Sequence, residues 1–207
     1  MGSSKDEATR DRLLREAAYH FARLGYDAAS LRKIAERVGI RAATVYSHFP
    51  AGKAQLYEEI LQTVSSLLID RIARRYGQDT GLSAEDVIVQ MCAAFWDFCQ
   101  EYPDYATLLL RETFDADNSA LMGEGGPARE VVAVCIAYVE GAQAQGELPA
   151  FDVEAFSLWV ATYMLGYHGA PGLRSSLQRR PWSPPRAREQ FVTMVRNLLQ
   201  GAAMTSD

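Results

Sequence analysis

The sequence predicts an all-α fold of about nine helices, and three observations carry that prediction. Apolar residues recur at three- and four-residue spacing along most of the 207 residues, which places them on one side of a helix. No stretch alternates apolar and polar residues for long enough to make a half-buried strand. Gly and Pro stand between the periodic segments, at 25, 39, 77–81, 103, 123–127, 146–149 and 184–185, where they end or open helices. Hydrophobic residues at 48% and charged residues at 23% suit a globular chain, long enough to bury a sizeable core in one or two domains.

Residues 1–8 are expected to be disordered. A first helix is predicted over 9–24, with Leu14, Ala17, Ala18, Phe21 and Ala22 inward and Leu13 and Leu24 widening the stripe. His20 lies off that stripe and reads as solvated. The run Gly25-Tyr26-Asp27 ends the helix, and Ser30 is placed to cap the next.

Residues 30–57, SLRKIAERVGIRAATVYSHFPAGKAQLY, organise the rest. Leu31, Ile34, Ala35 and Val38 form the stripe of a short helix, and Gly39 supplies a turn. A second short helix follows, with Ala43 and Val45 apolar and Arg41, Thr44, Tyr46, Ser47 and His48 able to donate hydrogen bonds. Two short helices about a Gly turn, the second rich in donors, describe a helix-turn-helix. Thr44, Tyr46, His48 and Lys53 are candidate phosphate donors. Lys53 and the free N–H groups of the helix it opens would make an anion site. Arg41, Ala42, Thr44 and Ser47 are expected to meet base edges.

The finer pattern is Ala-x-x-Val-Gly-Ile at 35–40, Ala-Thr-Val-Tyr-x-His-Phe-Pro at 43–50, then a Lys opening a long helix. It resembles the tetracycline-repressor (TetR) family of bacterial transcription regulators, and the resemblance covers roughly residues 10 to 60. It implies a helix-turn-helix DNA-binding domain over 1–51 and a helical ligand-binding and dimerisation domain over 52–207. Its implied DNA-binding residues are Ser30, Arg41, Ala42, Thr44, Tyr46, Ser47, His48 and Lys53. Two departures stand out. Arg41 replaces a common helix-capping Ser, which removes a cap and adds a potential guanine reader. The segment from Phe49 to Lys53 is one residue longer than the usual spacing, which bears on where Lys53 lies.

Charge divides the chain as a DNA-binding reading requires. Residues 1–56 hold ten Lys or Arg against six Asp or Glu, and residues 57–207 hold eleven against twenty. A basic head thus sits on an acidic body. Cys92, Cys99 and Cys135 form neither a C-x-x-C pair nor a His-Cys cluster, so buried reduced thiols are expected rather than a zinc site or disulfide framework. Spacing of seven between Cys92 and Cys99 leaves a redox sensor as a minority reading. No signal-peptide core or membrane-length apolar run is present, so a cytoplasmic protein without membrane contact is expected.

The body is taken next. A long helix is predicted over 52–76, with Leu56, Ile60, Val64, Leu67, Leu68 and Ile72 inward and Arg71, Arg74 and Arg75 near its C-terminal end. As the only covalent connection between head and body, it is their natural mechanical link. Ser83 caps a helix over 83–102 whose apolar arc is wide enough to be buried on most sides or to line a cavity. Pro103 stops it, and Asp104 caps a shorter helix that fades near 115–118. The Gly-rich 119–127 is an interhelix loop, since no strand precedes it and no Lys-Ser or Lys-Thr follows. A helix over 128–145 points Val131, Val134, Cys135, Tyr138, Val139 and Ala142 inward. Asp152 opens the next, to about His168, with Phe151 and Phe156 as a staple. Residues 171–182 are expected as a loop carrying Arg174, Arg179 and Arg180. The last helix opens at Ser183-Pro184-Pro185, and 201–207 should fray.

The expected partners are double-stranded DNA with a palindromic operator, a second copy of the chain, and a small ligand. Large rings with polar tips suggest ligand contacts from Phe95, Trp96, Cys99, Tyr105, Phe114, Tyr138, Trp159, Tyr163 and His168. No Lys or Arg cluster interrupts these helices, which disfavours a highly anionic ligand. The ligand expected is neutral or weakly charged and largely hydrophobic or aromatic. Phe156, Val160, Met164, Tyr167, Phe191, Val195 and Leu198 are expected at the dimer contact. The function expected is a ligand-responsive repressor; the alternative is a DNA-binding dimer governed by a protein partner or by cysteine oxidation. An enzyme is disfavoured: only three His occur, and no H-E-x-x-H or G-x-S-x-G motif. No cofactor is expected.

Overall fold

The computed structural model describes residues 3–76, 81–115 and 126–200. Among them are ten α-helices, one 3-10 turn at Thr113–Asp115 and no strand. In order they are α1 Ser3–Ala28, α2 Leu31–Val38, α3 Ala42–His48, α4 Lys53–Tyr76, α5 Ala84–Glu101, α6 Pro103–Glu112, α7 Pro127–Ala144, α8 Val153–Gly169, α9 Pro171–Leu177 and α10 Pro184–Leu199. The all-α expectation holds. Residues 1–2, the 77–80 break, most of the Gly-rich 119–127 loop and the 201–207 tail lie outside the described residues.

Several boundaries differ from the sequence reading. α1 already begins at Ser3, and Gly25, at φ +78° and ψ 171°, breaks it where the sequence placed its end. Residues 26–28 add a short helical extension. Leu24 is 47% exposed rather than inward, while Leu13, Ala17 and Phe21 are fully buried. Tyr102, not Asp104, is the N-cap of α6, because Pro103 takes the first helical position, where its missing N–H costs nothing. The expected loop at 171–182 contains α9, which also opens on a Pro. Val134 on α7 is 68% exposed; its neighbours Val139 and Ala142 carry the buried face.

Other local readings hold. Ser83 Oγ accepts from the Asp86 N–H at 3.1 Å, and Asp152 Oδ1 accepts from the Ala155 N–H at 2.9 Å, so both helices are capped by side chains. The Phe151 and Phe156 rings lie 5.5 Å apart across the second cap. Ser30 and Arg41 stand at N-cap positions without a side-chain bond.

Two apolar clusters fill the molecule. The first runs from Leu13, Phe21, Ile34, Val45 and Phe49 through Leu56 and Ile60 of α4 to Leu108 of α6, so packing is continuous across residues 51 and 52. The second joins Trp96 of α5 to Phe156 and Met164 of α8 and to Phe191 and Val195 of α10. α5 contributes to both, which is why ten of its eighteen residues are buried.

Candidate nucleic-acid interface and body cavities

The turn between α2 and α3 is built on Gly39 at φ +80°, a conformation that costs a residue with a Cβ. Its N–H caps α2, and the Ile40 N–H returns to the Ala35 carbonyl at 3.0 Å. Val45, fully buried, anchors α3. Counting from that anchor fixes the outer face: Arg41, Ala43, Tyr46 and Ser47 are exposed, and Thr44 and His48 half-buried. Ala42 lies one turn before Val45 and leans on the core, whereas Ala43 points out. Ala43 is thus a surface residue the sequence reading missed, although three-residue spacing from Val45 would have found it. Ser30 is half-buried at the start of α2.

Gly52 precedes α4 at φ +66°, and a Cβ there would come within 3.0 Å of the Tyr46 ring. The lack of a side chain at 52 lets α4 start directly behind Tyr46, which stays 53% exposed. Lys53 does not extend outward. Its ammonium donates to the carbonyls of Tyr26 at 2.9 Å, Asp27 at 3.2 Å and Ala29 at 3.5 Å, and lies 4.4 Å from the Tyr26 ring centre. Carbonyls at a helix C-terminus lack partners and attract cations, so all three donors are engaged there.

His20 is only 8% exposed, and both of its ring nitrogens are buried without a hydrogen-bond partner. The sequence reading as a solvated residue is corrected: α2 and α6 both cover α1, so a wider arc is buried than one apolar stripe marks. Burial, and then the Arg37 guanidinium, hold its pKa below the ordinary histidine value, with Glu16 acting in opposition.

An apolar cavity of about 140 Å³ lies in the body between α4, α5, α7 and α8, with Leu109 of α6 also in its wall. Leu68, Ile72, Met91, Cys92, Val131 and Val160 are among its walls. The three thiols are free. Burial pushes the Cys92 thiol up to about 12 and raises Cys99 and Cys135 as well, so all three stay protonated at neutral pH, unreactive as nucleophiles.

The nine ring and thiol residues singled out in the sequence are divided. Phe95 lines the apolar cavity. Trp96, Cys99 and His168 line a separate polar hollow of about 500 Å³ beyond α5. Tyr138 borders a groove on the outer side of α7 that shares Ile72, Met91, Val131 and Cys135 with the cavity. The other four line none of these. Phe114 is 80% exposed, Tyr105 stacks 5.4 Å from Tyr102, and Trp159 and Tyr163 stack against Phe191 at 6.3 and 5.8 Å. The cavity is lined mainly by aliphatic side chains, which a search for rings passes over.

Residues expected at a dimer contact are mostly internal. Phe156, Met164, Phe191 and Val195 are buried within the chain, and Val160 with Phe156 faces the cavity; Tyr167 and Leu198 are half-buried. The reason is that the inner stripe of α10 rests on α5, and that of α8 turns inward with it. The apolar groups these two helices show to solvent are Leu158, 66% exposed, and Met194, 37% exposed, beside half-buried Trp159, Tyr163 and Val192.

A second, non-covalent link joins head and body. Arg111 on α6 donates to the Ala22 carbonyl at 2.7 Å and the Arg23 carbonyl at 3.2 Å; within the body, Tyr57 of α4 donates to Glu112. Two residues before Arg111, Leu109 reaches the cavity. No helix among the described residues is long and apolar enough to cross a membrane, and no cluster of potential metal ligands occurs among them.

The head has the three-helix arrangement of a helix-turn-helix domain, with an exposed donor-rich α3, and is carried on a helical body. Residues 13–60 match the model of the bacterial regulatory proteins of the tetR family. It is similar to the HTH-type transcriptional repressor KstR2 of Mycolicibacterium smegmatis, with 38% identity over 82 residues; the match spans 39% of this chain and 38% of that relative. The ketosteroid transcriptional regulator KstR2 of Mycobacterium tuberculosis has a similar structure, at TM-score 0.73 and 18% identity, covering 92% of this chain and 94% of the other. The TetR family transcriptional regulator PfmR of Thermus thermophilus aligns at TM-score 0.71 and 19% identity, covering 96% and 98%. At these identities the structural likeness is one of fold.

Proposed function

We propose that the chain is a homodimeric repressor that binds a palindromic DNA operator and leaves it when a small, largely hydrophobic molecule enters the body cavity. The observation that carries this reading is the apolar cavity, because Leu68 and Ile72 of α4 and Leu109 of α6 form part of its wall. A dry apolar cavity of about this size holds a benzene-sized ring without rearrangement, and a larger ligand must push its walls apart. Pressure on Leu68 and Ile72 tilts α4, whose first turn sits behind Tyr46. Pressure on Leu109 moves α6, whose Arg111 holds the end of α1. Both routes change the separation of two reading heads.

In this reading Arg41, Ala43, Thr44 and Ser47 meet bases, and Tyr46 and His48 meet phosphates. Ser30 and Ala42 support them from partly buried positions, and Lys53 acts by fixing the loop after α1. The domain division at 51 and 52 marks the function boundary, not a break in packing. The dimer contact falls on the outward sides of α8 and α10. A ligand that favours the DNA-incompetent state roughly a hundredfold opposes DNA binding by about 2.7 kcal/mol. The test is a thermal-shift screen of neutral aromatic and alicyclic compounds, followed by DNA titrations with each hit. A hit that stabilises the protein is expected to weaken DNA binding. Stabilising hits that leave DNA affinity unchanged contradict the reading, because linkage ties the two effects.

A further inference from the structure

The polar hollow beyond α5 plays no part in the reading above and shares no lining residue with the apolar cavity. At about 500 Å³ it lies within the range usual for small-molecule sites. Helices α1, α5, α6, α8 and α9 and the segment before α10 all contribute to it. Its side chains specify an occupant.

Arg174 of α9 lies 4.8 Å from the Tyr167 ring centre and donates one N–H to the Tyr167 carbonyl at 3.2 Å. Among the described residues it has no carboxylate partner within ion-pair distance. The remaining donors of its planar fork match a carboxylate. His168 borders the hollow, but its Nε2 is shut off from any water-sized group and has no hydrogen-bond partner. Burial and the nearby Arg174 hold this imidazole down to about 4, so it is uncharged at neutral pH. Trp182 adds a flat wall suited to a ring. Asp104 in the same lining is offset by its neighbour Arg23, which leaves the charge of Arg174 for a single anion.

We infer that this hollow binds planar aromatic monocarboxylates, with the carboxylate on Arg174. Because Ala22 and Arg23 belong to its wall, an occupant touches α1 directly and is a second effector of the head.

The probe is 4-hydroxybenzoate, titrated into the full chain and followed by tryptophan fluorescence and calorimetry; two of the three Trp residues, Trp96 and Trp182, line the hollow. Saturable binding with Kd below about 1 mM is expected. The uncharged 4-hydroxybenzamide is expected to bind about tenfold more weakly, because it forfeits the charge-assisted pair. Arg174→Gln should erase the difference between acid and amide. Ala161→Phe, which fills the apolar cavity, should leave the affinity unchanged. Three results overturn the inference: no saturable binding, equal affinity of wild type for acid and amide, or loss of binding with Ala161→Phe but not with Arg174→Gln. The acid–amide comparison uses the wild-type chain, so the outcome does not depend on how any variant folds.

Discussion

Gly52 and Lys53 show how adjacent residues divide the work of placing the reading helix. Gly52 holds a left-handed φ and leaves room for the Tyr46 ring. Gly52→Ala is therefore expected to destabilise the chain by roughly 1–2 kcal/mol and to displace Tyr46, read as a lower urea midpoint together with weaker DNA binding. Lys53 closes three carbonyls at the end of α1. Lys53→Ala should lower stability by about 1 kcal/mol while leaving the salt dependence of DNA binding unchanged. Tyr46→Phe should do the reverse, lowering affinity for all sequences at unchanged stability. A salt slope about one unit shallower in Lys53→Ala would instead make Lys53 a phosphate contact. The sequence located both residues but not their roles, since a lysine at a helix N-terminus looks the same whether it faces DNA or turns back to carbonyls.

Histidine sets a pH dependence at the same scale. His20 and His168 both have pKa values below the ordinary 6.5, chiefly through burial. The unfolded chain then takes up protons before the folded one. Their contribution is full above about pH 6.5 and is lost as pH falls toward 4. The urea midpoint is expected to fall across that window, and His20→Leu to make the decline shallower. An unchanged slope in that variant would mean that His20 is already open to protons.

Among the helices, those with one continuous apolar stripe are legible in the sequence and those depending on tertiary context are not. The α4 stripe and the caps of α5 and α8 follow from local spacing and side-chain chemistry. The seven residues of α9 do not, because none of its side chains is buried and a Pro at its start reads equally well as a loop. The position of α6 is legible but its reach is not. Its tie to α1 is a side chain on carbonyls some ninety residues earlier, a contact with no local pattern. Arg111→Ala is expected to loosen that tie, so that scanning calorimetry shows a head transition below that of the body. A single unchanged transition would show that the shared apolar cluster alone couples the two.

For the whole molecule, the prediction concerns assembly. The sequence suggests a dimer contact through Val195 and its neighbours, yet Val195 is fully buried against the chain's own core. Apolar periodicity states which side of a helix is covered, not whether the cover comes from the same chain. Val195→Arg should therefore bury an unpaired charge and unfold the protein, seen as loss of helical circular dichroism. Leu158→Arg should keep the fold and yield monomers in light scattering, because Leu158 is exposed in the single chain. A dimer that survives Leu158→Arg would place the contact elsewhere. The cavity is half legible in the same sense: the breadth of apolar surface on α5 announces an interior space, while its aliphatic walls come from four other helices.

α6 borders both hollows and the head. Within five positions Thr107 borders the polar hollow, Leu109 the apolar cavity, and Arg111 the end of α1. A stiff rod only ten residues long holds one position at a time, so two messages arriving on it leave as one. Such a protein would compute rather than add: once either occupant has moved the rod, the other has little left to say, and the operator hears a logical gate instead of a sum.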